Sequence, residues 1–146
     1  MAESPLETLN ELIHTCRDGE QGFRSAAENV KDPKVKALFT DYARERAAFA
    51  SELKEEVARL GGTPDEGGST AGAVHRGWMD VKGAVTGQDD GSILNEAERG
   101  EDVAVDTYRS ALEQPLPQSA KTLVERQYTH VKAAHDRVRA ERNQRQ

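Results

Sequence analysis

SPLETLNELIHTCRDGEQGFRSAAENV, residues 4–30, places Leu6, Leu9, Ile13, Cys16, Phe23, Ala27 and Val30 in alternating steps of three and four. That spacing lines one face of an amphipathic helix and predicts the seam of a helical bundle. One place in the series is not apolar: where it calls for a leucine, the chain has Glu20. Ser4, Pro5 and Glu7 supply an N-cap, a proline at the first helical position and a capping-box glutamate, so the helix is expected over about residues 5–30.

The same logic extends along the chain. Asp32-Pro33 repeats the cap-and-proline signal and opens a second helix, about 34–60, that ends at Gly61-Gly62. Its stripe reads Val35, Leu38, Tyr42, Glu45, Phe49, Leu53, Val57, Leu60. A third helix, about 92–113, carries Leu94, Glu98, Glu101, Val105, Tyr108 and Leu112; a break at Gln114-Pro115-Leu116-Pro117 leads to a fourth, about 117–142, with Ala120, Leu123, Gln127, Val131, Ala134 and Val138. Residues 61–91 are rich in Gly, Ser, Thr and Pro and read as a long connection with a short helix of its own, about 71–85, bearing His75 and Trp78. Short links make antiparallel hairpins, and two hairpins joined by a crossover of this length predict one all-α domain over residues 1–146, a four-helix bundle with ferritin-like connectivity. The third helix then runs parallel to the second.

Burying an unpaired carboxylate costs several kcal/mol or forces it to keep its proton, so the interrupted stripes need compensation. Glu20 and Glu45 both lie about 18 Å from the first turn at 1.5 Å per residue. Glu101 falls near that level, Glu98 one turn closer to the end, and counting across the second break arrives at Gln127 to His130. The expected slab is Glu20, Glu45, Glu101 or Glu98, Gln127 and His130. Convergent carboxylates with a histidine are what a carboxylate-bridged pair of Fe, Mn or Zn ions requires. The alternative is that Arg44, Arg46, Arg99 or Arg126 neutralises the seam carboxylates, an arrangement that fixes register more than it adds stability.

These features together resemble the ferritin and rubrerythrin superfamily. More closely, the chain resembles an uncharacterised bacterial family of ferritin-like four-helix bundles classed as a domain of unknown function, over about residues 5–143. The resemblance rests on LNELIHTCR at 9–17, Gly61-Gly62-Thr63-Pro64, His75-Arg76-Gly77-Trp78, Glu98-Arg99-Gly100-Glu101-Asp102 and His135-Asp136. It implies a di-iron pattern of Glu, Glu-x-x-His, Glu and Glu-x-x-His on successive helices. Glu20 and Glu101 match. The second helix offers Glu45-Arg46-Ala47-Ala48, with alanine in place of histidine, and the fourth offers Gln127-Tyr128-Thr129-His130, with an amide in place of a carboxylate. A second register, Lys132-Ala133-Ala134-His135, keeps the histidine but sets a cation at the carboxylate position. The expectation is a degenerate waist without catalysis in a small protein whose resemblance implies a stress-associated role; the alternative is a di-iron or manganese protein with ferroxidase or peroxidase-like activity.

Composition narrows the partners. With a net charge of −6 and 5% aromatic residues, the chain is not expected to bind nucleic acid. Lys132, Arg137, Arg139, Arg142 and Arg145 make the last helix basic at its end, where cations complement the helix dipole. No run of ~18 apolar residues suggests a membrane span. Met1 to Glu7 lacks a secretory pattern, so the expected compartment is the cytoplasm. The single cysteine, Cys16, reads as a buried structural thiol. His135 beside Asp136 reads as a structural pair. A bundle with exposed seams admits a homodimer, with the crossover helix as the expected contact.

Overall fold

A computed structural model describes residues 4–64 and 89–144. These form four helices: α1 (Pro5–Asn29), α2 (Pro33–Arg59), α3 (Asp90–Leu112) and α4 (Gln118–Asn143). The expected crossover helix at 71–85 lies outside the described residues.

The ends follow local chemistry. Ser4 Oγ accepts from the Glu7 amide at 3.1 Å while Glu7 Oε1 accepts from the Ser4 amide at 3.3 Å, a complete capping box. The Asp32 carboxylate caps α2 through the Lys34 amide at 2.9 Å. Asp89 caps α3 through the Ser92 amide at 2.8 Å, so that helix starts two residues earlier than expected. Gly61, at φ 87°, takes the left-handed conformation that ends α2.

One contact sets the topology. The Asp90 carboxylate accepts from the backbone N–H groups of Lys31 (2.8 Å) and Asp32 (2.9 Å) in the α1–α2 turn. The start of α3 is therefore fixed to the end of the bundle where α2 begins, and α3 runs parallel to α2. α1 packs against both α2 and α3, α3 pairs with α4, and α2 and α4 are the most loosely packed of the neighbouring pairs, with α2–α3 and α1–α4 on the diagonals. Among the described residues, no helix is long and apolar enough to cross a membrane.

The apolar interior is divided. One cluster includes Leu9, Ile13, Cys16, Phe49, Leu53, Ala104, Tyr108, Val124 and Val131. The other includes Phe23, Ala27, Val35, Phe39, Ala43, Leu94, Ala97 and Val138. On each helix the gap falls within one stretch: between Cys16 and Phe23, Ala43 and Phe49, Ala97 and Ala104, and Val131 and Val138. Within that layer lie Gly19, Arg46, Glu101 and Ala134, all buried.

Two registers differ from the sequence reading. The buried face of α2 passes through Phe39, Ala43, Arg46, Phe49 and Leu53, leaving Leu38, Tyr42 and Glu45 at its edge. The small Ala43 and Ala50 let that side of the helix turn inward. On α4, the residue level with Glu101 is Ala134, about one turn beyond His130. Tyr108, near the end of α3, bonds Gln127 well inside α4. The proline-bearing link thus overshoots α3, and α4 starts about five residues, or ~7 Å, farther out along the bundle.

Candidate metal centre

Arg46 occupies the middle of the waist. Its side chain is 1% exposed, and its Nη2 donates to Glu101 Oε2 at 2.5 Å, the Glu101 side chain being 0% exposed. The guanidinium lies over the Phe23 ring, 5.3 Å from its centroid, and Phe23 in turn packs on Phe39 and Tyr42 at 5.5 and 5.3 Å. Burial pulls the Arg46 guanidinium down, but the charge and hydrogen bond of Glu101 outweigh that and the net shift is upward. Buried Arg46 Nε and Nη1, Glu101 Oε1 and Glu45 Oε1 have no hydrogen-bond partner among the described residues.

Gly19 makes room for this group. A Cβ at Gly19 would stand 2.9 Å from Arg46 Nη1 and 3.5 Å from its Cγ. Arg46 is held by Glu101 and by Phe23, so it cannot simply swing aside. Overpacking of this kind costs about 1–3 kcal/mol, while alanine gains up to about 1 kcal/mol over glycine inside a helix. Gly19→Ala is accordingly expected to lower stability in the native chain and raise it by about 1 kcal/mol in an Arg46→Met background. Urea unfolding of the four chains reads this directly, and the same sign in both backgrounds rules the account out.

The other expected site residues distribute around this pair. Glu45, half-buried, lies 3.7 Å from His130 Nδ1, and His130 meets Phe49 edge-on with centroids 6.0 Å apart. Burial pushes the Glu45 carboxyl up, against opposing pulls from Arg46 and His130. Glu20 turns to the flank of α1 and pairs with Arg24 at 2.6 Å. Glu98, a turn toward the α3 start, accepts from Arg139 Nε at 2.9 Å and pairs with Arg142. Ala48, where the di-iron pattern has histidine, is exposed.

Gln127 belongs to a separate buried chain of hydrogen bonds. The Tyr108 hydroxyl donates to Gln127 Oε1 at 2.8 Å, and Gln127 Nε2 donates to the Phe49 carbonyl (3.3 Å) and to Glu52 Oε1 (3.0 Å). Arg126 closes the outer end on Glu52 at 2.8 Å. With the Tyr108 proton committed to Gln127, the Cys16 thiol is the donor in its 3.0 Å contact with Tyr108. Burial pushes the Cys16 thiol up to about 11, which keeps it a thiol.

Sequence reasoning named Arg46 among several compensating cations but put Glu45 on the seam. The missed signal is Gly19, a residue with no side chain opposite the largest one. Among the described residues, the set of three metal-type side chains whose ligand atoms come within 4.8 Å of one another is Glu98, Asp102 and His135, away from the waist pair.

Comparison with known proteins places this geometry. A family described as a domain of unknown function (DUF2383) matches residues 4–114. No curated protein sequence matches the chain. Among solved structures, Mycobacterium smegmatis Dps superposes with a TM-score of 0.77 at 18% identity, covering 93% of this chain and 84% of that one. A dodecameric thioferritin, the bacterioferritin-related protein of Bacteroides fragilis, gives 0.76 at 14%, covering 92% and 82%. A two-domain protein of Anabaena variabilis with DJ-1/ThiJ/PfpI-like and ferritin-like domains gives 0.76 at 14%; 99% of this chain spans 38% of that protein. At such identities the likeness establishes the fold, which is ferritin-like.

Proposed function

Given that the chain belongs to the DUF2383 family and has a ferritin-like fold, we propose that it is a non-catalytic bundle with a guanidinium where ferritin-like metalloproteins carry a dimetal pair. Its role is then exercised through its surface. The observation that carries this reading is Arg46, fully buried and 2.5 Å from Glu101.

The donor set does not fit two divalent ions. Arg46 is a fixed positive charge that cannot be deprotonated in a protein, and like charges 4 Å apart repel by about 4 kcal/mol per unit charge at a typical effective dielectric. Its unpartnered Nε and Nη1 atoms are donors and attract acceptors, not cations. Glu101 is engaged by the guanidinium, Gln127 spends its amide on three protein partners, and Ala48 supplies no ligand. No redox step is derived at this site.

Surface function is consistent with assembly of several copies, as in the dodecameric relative from Bacteroides fragilis; a stress-associated role remains what the family resemblance implies. The second reading, a ferroxidase or peroxidase-like centre on Fe or Mn, draws on Glu45 and His130, which stand together at the edge of the waist. Fe(II) oxidation in air separates the two. The purified chain is expected to leave the rate of oxidation of Fe(II) unchanged; catalysed oxidation that disappears in Glu20→Ala plus Glu45→Ala would sink the guanidinium reading.

A further inference from the structure

Glu98 and Asp102 stand one turn apart on α3, and His135 faces them from α4. His135 is buried with a carboxylate on each ring nitrogen: Nδ1 is 3.0 Å from Asp136 Oδ1, and Nε2 is 2.5 Å from Asp102 Oδ1. A neutral imidazole has one N–H, which satisfies one of these contacts and turns a lone pair toward an anion at the other. A cation held between Nε2 and the Asp102 carboxylate would take that lone pair and that charge together, leaving Nδ1–H to Asp136.

We propose that His135 Nε2 and the carboxylates of Asp102 and Glu98 form a binding site for one divalent transition-metal ion of the zinc type. Imidazole with carboxylate is a donor set that Zn2+ accepts, and three protein ligands leave one position for water. Solvent reaches the site past Asp102, whose side chain is 54% exposed. Two carboxylates match the charge of the ion. Asp136 takes the outer role seen around metal-bound histidines: it holds Nδ1–H and so aims Nε2 at the ion.

Glu98 now shares its charge with Arg139 and Arg142. The Arg139 side chain is half exposed and can move to solvent when an ion takes its place, while Arg142 remains on the second oxygen. These arginines lower the affinity, Arg139 also through its charge on Asp102 and Asp136; they do not close the site, because their direct contacts are with Glu98.

The test is titration of chelator-stripped full-length chain with Zn2+ by calorimetry, with Co2+ absorption as the spectroscopic probe. One ion per chain is expected. Asp102→Asn and His135→Gln should each weaken binding at least about tenfold, and Asp136→Asn about tenfold through loss of ring orientation. Glu45→Gln plus His130→Gln, at the other histidine–carboxylate pair, should change nothing. Asp102 is exposed enough that its amide variant folds, so the result does not hang on His135→Gln. Failure of the native chain to bind one Zn2+ overturns the proposal. So does binding unchanged in Asp102→Asn, or binding lost with Glu45 and His130. None of these outcomes depends on Fe(II) oxidation, so the waist reading stands or falls separately.

Discussion

Arg46→Met, made while Glu101 stays, is expected to destabilise the fold by about 3–5 kcal/mol, the usual result of removing one partner from a fully buried ion pair. The penalty arises less from the lost attraction than from what is left behind. Glu101 is 0% exposed, and its second oxygen already lacks a hydrogen-bond partner. At 2–4 °C per kcal/mol for a chain of this size, the melting temperature should fall by roughly 10 °C. The two single variants are not equivalent. A carboxyl left alone can take a proton, so the Arg46→Met deficit relative to the native chain should shrink toward pH 5. A guanidinium left alone has no such escape, and the Glu101→Leu deficit should stay constant over the same range. Replacing both partners, Arg46→Met with Glu101→Leu, removes two desolvation penalties together. That chain should unfold within about 1 kcal/mol of the native one or up to several kcal/mol above it. Urea unfolding with an unchanged m-value measures all three. A double variant as unstable as the singles would show that the pair is a net stabiliser, and the waist would need no functional reason for keeping it.

Arg46 draws its surroundings from three of the four helices that cross the layer. Gly19 supplies the space, Phe23 the ring beneath the guanidinium, and Glu101 the counter-charge. Gly19, Arg46 and Glu101 lie between two apolar clusters that otherwise pack as separate halves of the bundle, and Phe23 is the edge of one of them. A charge pair at that junction penalises any axial slip of α2 against α3, since a shift of one turn would strand both charges. Register specification of this sort is the best-attested benefit of a buried polar group that contributes little net stability.

Much of the fold could be read from residues alone because its signals are local. The capping box at Ser4 and Glu7, the Asp32-Pro33 start and the Gly61 stop act within a few residues, and they bound α1 and α2 to within one residue. The site was less legible because it depends on rotation and axial offset, to which a heptad count is nearly blind. Reading Val35, Leu38, Tyr42, Glu45 in strict heptads put a carboxylate on the seam. The helix, winding at 3.6 residues per turn with alanines on its close-packed side, instead buries Phe39, Ala43 and Arg46. On α4 the error was translation: a symmetric turn would have set Gln127 to His130 beside Glu101, whereas the extended proline link sets Ala134 there. His135 and Asp136 were visible as a pair, but Asp102, their partner across the helices, becomes their neighbour only in that shifted register.

Gln127→Glu restores the carboxylate of the di-iron pattern on the fourth helix, and it is expected to cost about 3 kcal/mol at neutral pH without creating a metal centre. The native amide works as both acceptor and donor: Oε1 receives the Tyr108 hydroxyl, and Nε2 serves the Phe49 carbonyl and Glu52. A carboxylate keeps the first contact and loses the other two, taking the second donor from a Phe49 carbonyl that keeps only its bond within α2, and setting two negative charges where a 3.0 Å hydrogen bond had been. Either defect is worth about 1–3 kcal/mol, more where a charge is involved. Burial and the neighbouring Glu52 raise the proton affinity of the new carboxyl in the folded state above its unfolded value. The folded chain then binds more protons than the unfolded one, so the variant's stability relative to native must fall as pH rises from about 4.3 toward that raised value. Unfolding free energies at pH 5 and pH 7.5 check the sign; a deficit that grows on acidification is incompatible with the mechanism. Adding Ala48→His completes the pattern on paper, yet position 48 faces solvent and Arg46 still holds the waist. Zn2+ or Fe(II) stoichiometry should therefore not rise in the double variant. A gain of two ions per chain would mean that the guanidinium can leave the layer, and with it would go the reason for regarding this bundle as closed to metal at its centre.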